Sequence, residues 1–142
     1  MSQFSNETLF QIVNAIPLAG WLLLVFAPKW AWTRRIIVFG VIAVLSVAYA
    51  LLFPNTLGGS GDGMSLAGIS AAFQNPKVAL LGWVHYLAFD LFVGMWEVQD
   101  AQTHQISHWF VIPCLVGTFL AGPIGLLAYL VIRTIRTKQL SV

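Results

Sequence analysis

Residues 82–108 read GWVHYLAFDLFVGMWEVQDAQTHQISH, and the reading of this stretch decides the fold. It begins as an apolar segment able to cross a bilayer as a helix, yet it carries Asp90, Glu97 and Asp100 together with His85, His104 and His108. The chain has only five acids and three histidines, so most of its acids and every histidine fall here. At about 100° per residue, Asp90, Glu97, Asp100, His104 and His108 project within roughly 80° of one face of an unbroken helix. A break is expected near Asp100. Asp90 and Glu97 then share one stripe, and the later groups gather at its mouth.

The rest of the chain supports a membrane setting. Of 142 residues, 58% are hydrophobic and 8% charged, whereas charged residues make up about a quarter of an ordinary soluble domain. Four stretches approach the length of about 20 residues that a helix needs to cross the hydrocarbon core. The expected fold is therefore all-α, an integral membrane bundle of four transmembrane helices forming a single domain over 1–142. Its helices are placed at about 8–27, 36–53, 77–100 and 108–135, with a Gly-rich loop over 54–75. Within that loop Leu66, Ile69, Ala72 and Phe73 fall at helical spacing, which suits a short interfacial helix from Met64 to Phe73.

Other signals limit the function classes. The loop sequence PNTLGGSGDG has glycines but no GxxxxGK[ST] pattern and no preceding strand, so it reads as a connector rather than a phosphate cradle. The net charge of +2 comes from basic residues at helix ends, which suits lipid headgroups and gives no nucleic-acid surface. Cys114 is the single cysteine and cannot form an internal disulfide. With four spans both termini share one side. Lys77, Arg133, Arg136 and Lys138 then oppose Lys29, Arg34 and Arg35, a balance that leaves the orientation open. Ala121 and Gly125 form a small-xxx-small pair in the fourth span, which permits close helix approach or a homo-oligomer.

The polar cluster supports two chemistries. A carboxylate in mid-membrane is costly, and Asp90 is by default a functional residue facing a cavity or partner. It suits proton donation or relay. Alternatively, Glu97, Asp100, His104 and His108 form a mixed carboxylate–imidazole set that suits a divalent metal. Such a metal would polarise an oxygen or activate water. His85, His104 and His108 offer a further metal or haem reading. The plain reading of His104 and His108 is as polar residues at headgroup level. Asn14 in the first span needs a polar partner, most simply an interhelical hydrogen bond. With Trp21, Tyr86 and Trp96, which lie at depth beside the acidic stripe, it completes the candidate contacts for a long apolar substrate.

WVHYLAFDLFVGMWEVQDA and PCLVGTFLAGPIGLLAYL resemble the core of the neoxanthin-synthase-like family, small four-span membrane proteins linked to abscisic-acid deficiency in plants. NAIPLAGWLLLVFAPKWAWT resembles its first hairpin. The resemblance implies an isomerase of carotenoid biosynthesis that opens an epoxide, with a carotenoid or isoprenoid ligand in a bacterial inner or thylakoid-type membrane. It also implies His85, Asp90 and Asp100 as site residues, with Cys114, Gly122 and Pro123 as structural markers. The chain departs from the family pattern at Met95, where a basic residue is expected, and Glu97 makes the same turn more negative. A non-catalytic accessory protein that binds pigment or lipid is the alternative from another class.

Overall fold

The computed structural model describes residues 6–56 and 65–138. Helix α1 covers Asn6–Phe26, with Glu7 in its first turn, where a carboxylate favours the positive end of the helix dipole. Pro17 lies inside it and is buried. The chain turns through Pro28 to Trp32, where the Thr33 hydroxyl donates to the Ala27 carbonyl at 2.7 Å. Helix α2 follows over Thr33–Thr56. Its stretch Ile36–Ile42 is π-helical, with the Ala43 amide reaching back to the Val38 carbonyl, and Phe53–Thr56 tightens to a 3-10 turn. Glycines 58, 59, 61 and 63 of the connector lie outside the described residues, as does Met64 at the start of the expected interfacial helix.

The expected short helix is present as α3, Leu66–Phe73. The Ser65 side chain caps it by accepting from the Gly68 amide, and none of its residues is buried. Helix α4, Pro76–Thr103, is the spine of the molecule. Asn75 caps it and Pro76 occupies its first position, where a missing N–H costs nothing. Its buried residues include Val84, Leu91, Met95 and Val98, which pack with Leu24 of α1 and Leu45 of α2 into one core. The helix continues past Asp100 to Thr103, and His104 and left-handed Gln105 turn the chain.

The expected fourth span is not one helix. Residues 108–135 divide at Gly122 into α5, His108–Ala121, and α6, Pro123–Thr137. Gly122 has φ 38° and ψ −93°, a conformation that a side chain opposes, and Pro123 starts the next helix with its φ already set. The arms then run antiparallel. Gly117 and Gly125 meet across the turn, and the Arg136 guanidinium lies 4.1 Å from the Phe110 ring at the open end. Gly125 is needed for this approach, because a Cβ there would collide with the Thr118 backbone. Gly125 is therefore buried inside the chain, while Ala121 of the small-residue pair remains exposed.

Each arm is about 21 Å long at 1.5 Å per residue, too short for a core of about 30 Å. The tip reaches Asp90, near the middle of α4, where a Cβ on Gly122 would lie 3.0 Å from the Asp90 carboxylate. Three helices, α1, α2 and α4, are long and apolar enough to cross a membrane. The hairpin packs beside α4 as far as Asp90 and returns. The architecture among the described residues is all-α, with three helices long and apolar enough to cross a membrane and a hairpin of two shorter helices where one fourth span was expected.

This correction moves the C-terminal end. Helices α1 and α4 run in the same direction, with Asn14 against Trp83 and Pro28 against Gln102. His108 and Arg133 lie at the Pro28 end, so Lys29, Arg34, Arg35, Arg133, Arg136 and Lys138 share one face and Lys77 stands opposite. Six against one is a strong bias, and the positive-inside rule predicts that face for the cytoplasmic side. A Lys138→Cys variant should react with an impermeant maleimide only from the cytoplasmic side and an Asn55→Cys variant only from the other. Labelling of both from one side would restore the four-span arrangement. Gly125→Ala should destabilise the detergent-solubilised protein by about 1–3 kcal/mol through overpacking, read as a lowered melting temperature.

Candidate functional site

Helix α4 presents Asp90, Glu97, Asp100 and His104 along the side that the re-entrant hairpin covers. Each group meets a different level of the hairpin, and the deepest level is the tip. Asp90 faces Gly122, with one carboxylate oxygen buried and without a partner among the described residues. One turn earlier, Tyr86 interacts with Asp90 and also donates its hydroxyl to the Phe119 carbonyl at 3.4 Å. Because α5 ends and α6 begins at this level, the tip brings end-of-helix backbone groups to the middle of the membrane. The first amides of α6 carry the positive end of its dipole, a favourable neighbour for a carboxylate.

Glu97 lies two turns closer to the cationic face and is fully buried. One of its oxygens accepts from the Thr118 hydroxyl at 2.8 Å, and the other has no partner among the described residues. Asp100 forms the base of the interface. It accepts from the Tyr129 hydroxyl at 2.5 Å and from Arg133 Nε at 2.7 Å. A second guanidinium nitrogen lies 3.1 Å from His104 Nε2. Arginine only donates, so Nε2 accepts and the proton belongs on Nδ1, which donates to the Asp100 carbonyl at 2.9 Å. Arg133 is only 3% exposed, a buried cation held by a carboxylate and an imidazole.

The expected metal set does not assemble. Among the described residues no three of His, Cys, Asp and Glu converge to hold a metal ion. The cause is geometric. The chain leaves the helix after Thr103, so His108 starts α5 and donates from Nε2 to the Val25 carbonyl at 3.0 Å. Arg133 supplies the positive charge that Asp100 and His104 would otherwise share with a metal. The three histidines are also not a haem set, because His85 lies elsewhere, stacked on Phe89 at 4.5 Å and against Tyr49 at 5.8 Å.

The other sequence candidates fall into two groups. Tyr86 lies one helical turn from Asp90, and Asn14 joins the same side by accepting from Trp83 Nε1 at 3.2 Å. Trp83 stacks on Tyr86 at 5.3 Å. These groups lie beyond the hairpin tip, on the half of α1 and α4 that the short arms leave uncovered. Trp21 is 7% exposed and meets Phe119 edge-on at 5.5 Å. It lines an almost wholly apolar groove of about 320 Å³ between α1 and α5, with Leu18, Leu22 and Val116. Phe119 belongs to both places, so the groove ends beside the Tyr86–Asp90 pair. Trp96 instead packs edge-on against Tyr129 at 5.7 Å and supports the Asp100 network. His85 and Asp90 face different neighbours, and the structure does not bring them together.

Sequence reasoning missed Arg133, Tyr129 and Thr118. Tyr129 and Arg133 are four apart, hence on one helical face, and that spacing was their only local signal. Their partners lie about thirty residues earlier, a pairing that only the hairpin makes.

An all-helical membrane protein with three helices long enough to span, a short helical hairpin and a carboxylate at its tip is the class these features define. A family model described as ABA DEFICIENT 4-like matches residues 8–129, and the chain belongs to that family. No curated protein and no solved structure matches the chain.

The buried ion pair gives a direct test. Losing one partner of such a pair costs about 3–5 kcal/mol, so Arg133→Met should strongly lower the melting temperature in detergent. Adding Asp100→Asn should recover part of the loss, since no uncompensated charge then remains.

Proposed function

We propose that this protein is a membrane-embedded carotenoid- or isoprenoid-modifying enzyme, an acid–base isomerase of the neoxanthin-synthase type. The observation that carries the reading is the Tyr86–Asp90 pair at mid-membrane. One Asp90 oxygen has no partner among the described residues, and Phe119, whose carbonyl accepts from Tyr86, lines the apolar groove at Trp21. Family membership supports the reaction class. Asp100, by contrast, has both a hydroxyl and a guanidinium on one oxygen, which suits a tie between helix and hairpin.

The proposed reaction is the isomerisation of an epoxide to an alcohol with a new carbon–carbon double bond, without redox change. The Tyr86 hydroxyl gives its proton to the epoxide oxygen as the C–O bond breaks. The Asp90 carboxylate takes a proton from the neighbouring carbon, and the electron pair of that C–H bond forms the new π bond. Passage of the proton from Asp90 to Tyr86, one helical turn away, resets the pair. The groove at Trp21 holds the apolar chain, and the Asn14 amide N–H group, its oxygen already bonded to Trp83, offers a polar contact on the open side. Little water reaches this depth, which protects a reactive cation from hydrolysis.

The test is co-expression of the full chain in a host that accumulates epoxy-carotenoids, followed by chromatography of the pigments. An isomer of unchanged mass should appear. General acid–base groups contribute about 10²–10⁴-fold, so Asp90→Asn should abolish detectable product and Tyr86→Phe should lower it at least about 10²-fold, both with normal membrane levels. Full turnover by Asp90→Asn would remove that residue from the mechanism. Co-purification of unchanged pigment without conversion would support an accessory pigment-binding protein, a reading favoured by the almost wholly apolar character of the groove.

A further inference from the structure

On the cationic face, away from the Tyr86–Asp90 pair, a cavity of about 420 Å³ opens between the α1–α2 turn and the last turns of α4. Its floor is apolar, built from Leu24, Met95 and Val98, and its wall carries Lys29, Arg34 and Gln99. No acid lines it. The Gln99 side-chain nitrogen is buried and has no hydrogen-bond partner among the described residues, an unused donor at the cavity wall. The Gln102 amide already donates to the Pro28 carbonyl at 2.8 Å, which removes an acceptor from the same wall. Thr33 and Arg34 begin α2, so the positive end of that helix dipole also faces the space.

The acids among the described residues do not neutralise this site. Glu7 lies at the opposite end of α1, Asp90 is at mid-membrane, Glu97 is sealed against the hairpin, and Asp100 is held by Arg133. Arg35 turns away and lies 5.2 Å from the Trp32 ring. Two cations and a buried amide donor therefore line a space that no acid among the described residues enters, above an apolar floor suited to methylenes.

We propose that this cavity is a binding site for a phosphate group, with Lys29, Arg34 and the Gln99 amide as its ligands. A phosphodiester headgroup of an anionic lipid matches both the donors and the apolar floor. A free phosphate matches the donors alone. The site is separate from the proposed reaction, and either reading stands if the other fails.

The experiment is native mass spectrometry of the delipidated full chain in detergent, titrated with phosphatidylglycerol or phosphatidylcholine. One tightly held phosphatidylglycerol per chain is expected, with phosphatidylcholine much weaker. At about 1 kcal/mol per cation near an anionic lipid, Lys29→Gln with Arg34→Gln should weaken it roughly thirtyfold. Gln99→Leu, which keeps every charge, should also weaken it. Arg136→Gln with Lys138→Gln removes the same charge outside the cavity and should leave the tight adduct in place. Equal loss in both charge-matched pairs, or an unchanged adduct in Gln99→Leu, would overturn the site. Competition by inorganic phosphate would identify the free ion as a ligand, and its absence would identify the lipid.

Discussion

The structure depends on how the chain reverses at Gly122 and Pro123 in the middle of a membrane. Backbone that leaves a helix at that depth loses water as an alternative partner, so it survives only where protein surrounds it or a cavity receives it. The turn meets that condition. Gly122 is buried, its amide donates to the Thr118 carbonyl, and its own carbonyl accepts from the Leu126 amide. Pro123 has no amide to satisfy. The close approach of Gly117 and Gly125 then lets both arms fit beside α4.

Because the hairpin stops at half depth, it divides the polar side of α4 into two zones. On the covered zone, Glu97 meets Thr118, and Asp100 meets Tyr129 and Arg133. Burying an ion pair is expensive and gains little stability by itself, but leaving one partner unpaired costs far more. The pair therefore acts chiefly as a register lock, since sliding the hairpin would strand a charge in an apolar interface. Asp90, at the boundary, lacks such a lock.

The uncovered zone is where chemistry on an apolar ligand is possible. Asn14, Trp83 and Tyr86 lie beyond the tip, and the groove at Trp21 approaches it from the side. A fourth complete span would have closed this half of α4. The same truncation that creates mid-membrane access also returns the C-terminal cations to the face of Lys29 and Arg34. Topology, site access and charge distribution thus have one cause.

The sequence by itself determined the membrane class, the three long spans, the short helix before α4 and the acidic stripe, because these depend on local composition and helical periodicity. It also placed Asp90 at depth, since a position within an apolar run is a local property. Apolar content alone could not distinguish one kinked span over 108–135 from two short arms. That distinction rests on Gly125 meeting the Thr118 backbone and on Gly122 at positive φ. Tertiary structure likewise decided that Asp100 and His104 take Arg133 in place of a metal and that His108 belongs to another helix. These pairings join residues about thirty to eighty positions apart, and helical periodicity carries no information at that range.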